Sequence, residues 1–286
     1  MNILITGSDG QLGSEFRDME SSWPNYNFFY TDIKELDITD AEKVNKYIKS
    51  NKIEAIINCA GYTGVDKAET EKSFATQVNA TAVKHLATAC AKVNALLIHI
   101  STDYVFDGKS FRPYTETDTA SPKSFYGKTK LDGEIEVIFN AKRALIFRTS
   151  WLYSSHGKNF VKTIASKTKT EKELKVVYDQ IGSPTWAADL ANTILEIIPN
   201  IPKKIRTEIY NYSNEGIASW YDFAQAIAEI KKHKCHIEPI LTKDFPTDAQ
   251  RPHYSVLNKA RIKKDFGITI PHWRKSLEKC LAKLND

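Results

Sequence analysis

Three features of the sequence predict an α/β fold in which a doubly wound parallel sheet is joined to a smaller mixed α/β domain. Short apolar runs at 2–6, 27–32, 53–58, 96–100 and 144–148 alternate with helical patterns, the rhythm of strand–helix–strand units that build a parallel sheet covered on both faces. The first run passes directly into Gly7-Ser8-Asp9-Gly10-Gln11-Leu12-Gly13, a glycine turn that opens a helix. The phenol of Tyr126 and the ammonium of Lys130 stand four residues apart, so a helix beginning there carries both on one face.

The glycine turn sets the first expectation of function. Without side chains at Gly7, Gly10 and Gly13 the backbone can turn sharply and approach a pyrophosphate, while the N–H groups at the helix start face the anion. The strand at 27–32 ends in Asp32, 19 residues past Gly13, where a carboxylate can accept from adenosine ribose hydroxyls and favour NADH over NADPH. A turn aspartate leaving a strand is nearly as good a reading, and Lys34 could reach a 2′-phosphate. Thr39-Asp40 caps the next helix. The strand at 53–58 leads into Cys59-Ala60-Gly61-Tyr62-Thr63, whose small residues permit close backbone approach. A long helix is predicted over 73–93, with Phe74, Val78, Ala82, Leu86 and Ala89 packing against the sheet.

The strand at 96–100 delivers Ser101-Thr102-Asp103 at its carboxyl end, the edge where open parallel sheets bind ligands. Thr102 is a candidate to hold a substrate carbonyl beside Tyr126; a hydroxyl residue closing a strand is the plainer alternative. A phenol of pKa ~10 is a poor acid at neutral pH, but an ammonium ~4 Å away at an effective dielectric of ~20 attracts the phenolate by ~4 kcal/mol. That attraction predicts a Tyr126 pKa near 7, where acid–base catalysis is most effective. The loop at 107–123 is expected to cover the substrate. Trp151, leaving the strand at 144–148, offers a flat apolar surface to a sugar or serves the core. Further strands at 174–178 and 208–212 and helices near 187–198, 220–230 and 273–284 complete the chain. Residues 1–150, with roughly 174–200, are assigned to a dinucleotide-binding domain. Residues 151–173 and 201–286 form an interleaved substrate-binding part.

Composition narrows the partners. With 286 residues, 42% hydrophobic and 26% charged, the chain can bury a sizeable core. A net charge of +5 with lysines spread among acidic residues suits small anionic ligands rather than nucleic acid. No apolar run reaches the ~18 residues a membrane helix needs, and the chain enters a strand pattern at once, so a cytoplasmic protein is expected. Cys59, Cys90, Cys235 and Cys280 lack CxxC spacing and read as reduced thiols, and His233-Lys234-Cys235-His236 has no partner cluster, so no metal is expected.

The GxxGxxG turn, the Ser-Thr pair at a strand end and the Tyr-x-x-x-Lys helix, taken together, resemble the extended short-chain dehydrogenase/reductase superfamily with its Rossmann-type sheet. Within it, the ordered set GSDGQLG (7–13), VDKAE (65–69), STDYVFDG (101–108), YGKTKLDGE (126–134), RTSWLY (148–153), DQIGSPT (179–185) and RPHYSVL (251–257) is similar to the dTDP-4-dehydrorhamnose reductases over nearly the whole chain. The resemblance implies a catalytic set of Thr102, Tyr126 and Lys130, with Gly10, Gln11 and Leu12 along the cofactor pyrophosphate. It places Asp32, Asp37, Ile38, Gly61, Tyr62 and Thr63, together with Tyr126 and Lys130, against the cofactor. Thr102, Asp103 and Trp151 would touch the sugar, with Arg251 at the nucleotide end. The reaction implied is reduction of dTDP-4-dehydro-β-L-rhamnose to dTDP-L-rhamnose by NADPH or NADH, and a homodimer is compatible with it. Two residues depart from the family pattern: Tyr62 stands where His is common, and Trp186 where a smaller residue is expected. A reductase of another 4-keto-6-deoxy sugar nucleotide is the main competing reading. A non-catalytic nucleotide-binding subunit is another, against which the intact Thr102, Tyr126 and Lys130 set argues.

Overall fold

The computed structural model describes residues 1–284. Its first half lays down β1 (Asn2–Thr6), β2 (Asn27–Thr31), β3 (Ala55–Asn58), β4 (Leu96–Thr102) and β5 (Ala144–Thr149). Between them run α1 (Gln11–Met19), α2 (Ala41–Ser50), α3 (Lys72–Thr76), α4 (Ala82–Val93) and α5 (Phe125–Asn140). The second half adds two-residue strands β6 (Leu152–Tyr153), β8 (Ile181–Gly182), β9 (Thr185–Trp186) and β11 (Ala218–Ser219), and the longer β7 (Glu173–Val177), β10 (Thr207–Tyr212) and β12 (His236–Ile240). Helices α6 (Phe160–Thr170), α7 (Ala187–Ile197), α8 (Trp220–Lys231), α9 (Ala260–Phe266) and α10 (Trp273–Lys283) complete it. No helix among the described residues is long and apolar enough to cross a membrane.

Six parallel strands form the large sheet in the spatial order β2-β1-β3-β4-β5-β10. Because β1 pairs with both β2 and β3, the winding reverses there, and a crevice opens beyond the carboxyl ends of those strands. Successive residues of each strand point to opposite faces. Ile3, Ile5, Ile57, Ile98 and Leu145 accordingly pack with Phe16 of α1 and Leu190 and Ile194 of α7. Leu4, Ile56, Leu97 and Ile146 pack with Val44 of α2, Leu86 of α4 and Val137 of α5. A third core joins Val161, Leu174, Phe223, Ile237 and Leu277 in the smaller part of the molecule.

Strand pairing differs from the sequence expectation in two places. The strand at 174–178 does not extend the large sheet: β7 pairs in parallel with β12, Leu174 opposite Ile237, against α6 and α8. Residues 207–212, assigned to the substrate part, instead close the large sheet, with Ile209 opposite Ile146. The burial patterns give the reason. β7 buries Leu174 and Val176 but exposes Glu173 and Lys175, a one-sided strand, whereas Tyr210, Asn211 and Tyr212 are fully enclosed.

The helix expected over 73–93 is interrupted. A π turn at 77–81 separates α3 from α4 and leaves Phe74 half exposed instead of against the sheet. The loop at 107–123 is pinned by the C-terminal segment, with Tyr114 bridged to Leu257 and the Tyr254 N–H donating to the Gly108 carbonyl.

Candidate active site

A cleft of about 450 Å³ occupies the crevice. Gly7 and Gly10 line it after β1, Asp32, Asp37 and Ile38 after β2, and Gly61 and Tyr62 after β3. Gly7 has φ +63°, and a Cβ there would lie 2.6 Å from the Ala60 backbone nitrogen. Gly10 starts α1 with no side-chain cap, so the first-turn N–H groups meet no carboxylate or hydroxyl of the chain's own. A Cβ-free turn beneath an uncapped helix start fits a dinucleotide pyrophosphate. Asp32 faces the cleft, but Oδ2 accepts from the Asp9 N–H at 3.1 Å and Oδ1 from the Ile33 N–H at 2.8 Å. It therefore also braces the turn, as the plainer reading of the sequence had it. Asp37 Oδ1 accepts from the backbone and hydroxyl of Thr39 at 2.9 and 2.7 Å.

Four of the expected cofactor residues turn their side chains to other uses or leave them exposed, so that Gln11, Leu12 and Gly13 offer the cleft only the backbone N–H groups of the first turn of α1. Leu12 is buried in the core beneath the sheet, and the Gln11 carboxamide accepts from Asn159 Nδ2 at 2.9 Å. Thr63 is exposed. A Cβ on Gly13 would lie 2.5 Å from Ser8 Cα, so that glycine serves the close approach of α1 to its turn.

Helix α5 is seated by its own start. Ser124 Oγ accepts from the Gly127 N–H at 3.1 Å, and Glu69 of the VDKAE segment accepts from the Phe125 N–H at 2.7 Å. A Cβ on Gly127 would lie 2.3 Å from the Tyr104 carbonyl and one on Gly133 2.2 Å from that of Asn79. This close seating buries Tyr126 and Lys130. Lys130 Nζ donates to the Ile100 carbonyl at 2.6 Å and reaches the cleft, 3.8 Å from where a Gly61 Cβ would stand. Burial brings its pKa down to about 8, opposed by Glu134 and Cys59.

The lowered phenol expected from the sequence is not what the structure holds. Burial pushes the Tyr126 pKa well above its ordinary value, and a hydrogen bond with Thr102 opposes this only in part. With the ammonium directed to Ile100, the cost of an enclosed phenolate prevails. The Tyr104 ring meets Tyr126 edge-on, with centroids 5.6 Å apart.

On the substrate side, Thr102 Oγ1 donates to Asp103 Oδ1 at 3.0 Å and accepts from the Tyr104 N–H at 3.2 Å. Asp103 is buried, its Oδ2 has no partner among the described residues, and burial raises its pKa to about 6 against the hydroxyls of Ser255 and Thr102. Trp151 adopts φ +49°, and its ring stacks on Trp220 at 3.6 Å. One face of the indole is thus already covered, as a core tryptophan would have it. Arg251 Nη2 pairs with Asp66 Oδ2 at 2.7 Å and also bonds the Tyr104 hydroxyl.

Sequence reasoning missed the part that four residues play here. Phe74 lines the cleft and meets Tyr62 edge-on. Asn79, on the π turn, accepts from the Tyr62 N–H at 2.8 Å and donates to its carbonyl at 3.0 Å and to Thr129 at 3.0 Å. The signal was a lone amide in an otherwise apolar helical stripe. Glu134 and Arg148 form a buried ion pair at 2.7 Å. Glu15, Asp18 and His156 also converge, but the Lys283 ammonium lies 3.5 Å from Glu15 and 3.6 Å from Asp18 and already supplies a positive charge there.

The family model described as "RmlD substrate binding domain" matches residues 1–286. The dTDP-4-dehydrorhamnose reductase of Aggregatibacter actinomycetemcomitans is 39% identical, the match covering 98% of each chain. A crystal structure of a dTDP-4-dehydrorhamnose reductase from Clostridium acetobutylicum superimposes with a TM-score of 0.94 at 42% identity, over 99% of each chain. That of the Bacillus anthracis reductase in complex with NADP gives 0.94 at 36%, also over 99% of each. With a crevice built for a dinucleotide and relatives matched along their full length, this chain belongs to the dTDP-4-dehydrorhamnose reductase family.

Proposed function

We infer that this chain reduces the C4 ketone of dTDP-4-dehydro-β-L-rhamnose to the alcohol of dTDP-L-rhamnose, the last step of dTDP-rhamnose biosynthesis, as an NAD(P)H-dependent oxidoreductase. The observation that supports the reading is the Lys130 ammonium reaching the glycine-lined cleft at Gly61, one helical turn along α5 from a buried Tyr126 that is bonded to Thr102. NAD(P)H, when bound there, supplies the hydride. The Gly7–Gly10 turn and the start of α1 would receive the pyrophosphate, and Asp32, on the cleft wall, would meet the adenosine ribose. Asn79 fixes the backbone of Tyr62, a residue of the cleft wall, through bonds to both its N–H and its carbonyl.

On the sugar side, Thr102 orients the C4 carbonyl and Tyr126 gives its hydroxyl proton to O4 as negative charge develops there. The raised phenol pKa keeps that proton in place at neutral pH. Transfer remains downhill, because an alkoxide is a far stronger base than a phenolate. Lys130, whose ammonium reaches the cleft at Gly61, would hold the nicotinamide ribose, and its positive charge would favour the phenolate left behind.

A panel of dTDP- and GDP-linked 4-keto-6-deoxy sugars, each supplied with NADPH and with NADH, tests the assignment. Consumption of reduced nicotinamide with dTDP-L-rhamnose as product is expected. Preference for another keto sugar would move the chain to a different reductase activity, and absence of consumption with every sugar would make it a nucleotide-binding subunit.

A further inference from the structure

Behind Tyr126 and Lys130 lies a second group of charges that the chemistry above does not use. Glu134 follows Lys130 by one turn of α5, which puts both on one face of the helix, and it is 1% exposed. Arg148 of β5 reaches it with Nε at 2.9 Å and Nη2 at 2.7 Å, and the Ser101 hydroxyl, one residue before Thr102, donates to Oε1. Arg148 is itself fixed by the Glu116 carbonyl at 3.3 Å and lies over the Phe106 ring. A buried ion pair is weak evidence of stabilisation, because apolar residues of the same volume often do as well. Its placement is more informative.

The groups that face Lys130 from the packed elements are Cys59 after β3, His99 of β4 and Glu134 of α5, with Tyr126 one helical turn before it on α5. Burial pushes the Cys59 thiol and the Tyr126 phenol up and the His99 imidazole down, so all three are neutral at pH 7. Glu134 is the carboxylate in this set.

We propose that Glu134 is a positioning residue that keeps Lys130 a charged ammonium in its buried seat, with Arg148 and Ser101 fixing the carboxylate on the Lys130 side of α5. This rests on the reading of Lys130 as part of the catalytic set. The phenol titrates far above neutrality, so the alkaline fall in kcat/KM for the keto sugar reports loss of the Lys130 proton.

The test is the pH profile of kcat/KM for the parent chain and for Lys130→Met, Glu134→Gln and Glu134→Asp, each checked for folding by circular dichroism. Glu134→Gln is expected to move the alkaline limb toward acid by about one pH unit, an about fivefold loss at pH 8 that is largely recovered at pH 6. Glu134→Asp, which keeps the charge, restores most of the parent profile. An unmoved limb in folded Glu134→Gln overturns the proposal. Should that variant not fold, Ser101→Ala decides, a shift in the same direction supporting the proposal and none overturning it. If Lys130→Met keeps the parent limb, the reading of Lys130 fails instead, and the two failures are distinguishable.

Discussion

At the scale of single residues, the site sets two acids far from their ordinary behaviour, and each yields a prediction. Tyr126 is buried with its proton retained, and the role proposed for it is transfer of that proton to O4. Tyr126→Phe should leave NADPH affinity, measured by fluorescence titration, within about twofold and cut kcat by ~100-fold or more, the scale of a lost acid–base group. Asp103 has a folded pKa of about 6, above the ordinary aspartate value. The native state therefore holds its proton more tightly than the unfolded chain, so this group's stabilising contribution is full below pH ~4 and is lost as the pH rises through 6. Asp103→Asn should raise stability at pH 7 by up to ~3 kcal/mol, flatten the acid side of the melting-temperature profile and weaken sugar binding. Both residues were legible in the sequence, because spacing along one chain sets Tyr126 one helical turn from Lys130 and Asp103 next to Thr102. The acceptor for the Lys130 ammonium was not, since the Ile100 carbonyl comes from a strand 30 residues away.

At the scale of elements, α5 is held by contacts that leave no room for side chains. A Cβ at Gly133 would meet the Asn79 carbonyl, a backbone atom that cannot rotate aside. Gly133→Ala should therefore shift α5 against the π turn and cost ~1–3 kcal/mol in urea unfolding, with turnover falling more than cofactor affinity. A lowered urea midpoint at unchanged slope would establish the loss, and an unchanged midpoint would contradict the close packing. The apolar periodicity of 73–93 announced a helix correctly but concealed its irregularity. A π turn inserts an extra residue, after which a 3.6-residue pattern resumes on a rotated face. Phe74 is thereby carried off the sheet and into the wall of the cleft. The cap at Ser124, a local signal of the kind read correctly at Thr39-Asp40, was passed over at the start of α5.

At the scale of the whole molecule, segments far apart in sequence meet around the site. Asp66, in the VDKAE segment, accepts from the Ala249 N–H at 3.2 Å and pairs with Arg251, tying the C-terminal part to the edge of the large sheet's loops. The pair is partly exposed, so its contribution to stability is at most ~1 kcal/mol. Arg251 lies beside Tyr104, and the family resemblance implies that it meets the nucleotide end of the substrate. Arg251→Met should raise KM for the dTDP-sugar by about tenfold with little change in kcat or melting temperature, and initial rates across substrate concentration check this. The sheet-forming character of residues 174–178 and 208–212 was evident from their composition, but their places were exchanged. Which sheet a strand joins is decided by what covers its second face, and that depends on helices such as α6 and α8 lying elsewhere in the chain.

The outermost position of β10 also shapes how the protein is made. Synthesis completes β5 at residue 149, yet its outer neighbour begins only at 207, 58 residues later (207 − 149). At ~5–20 residues per second the nascent polypeptide carries an unpaired edge for several seconds. A ribosome stalled within that interval would release a sticky intermediate, so chaperone dependence should be greatest there.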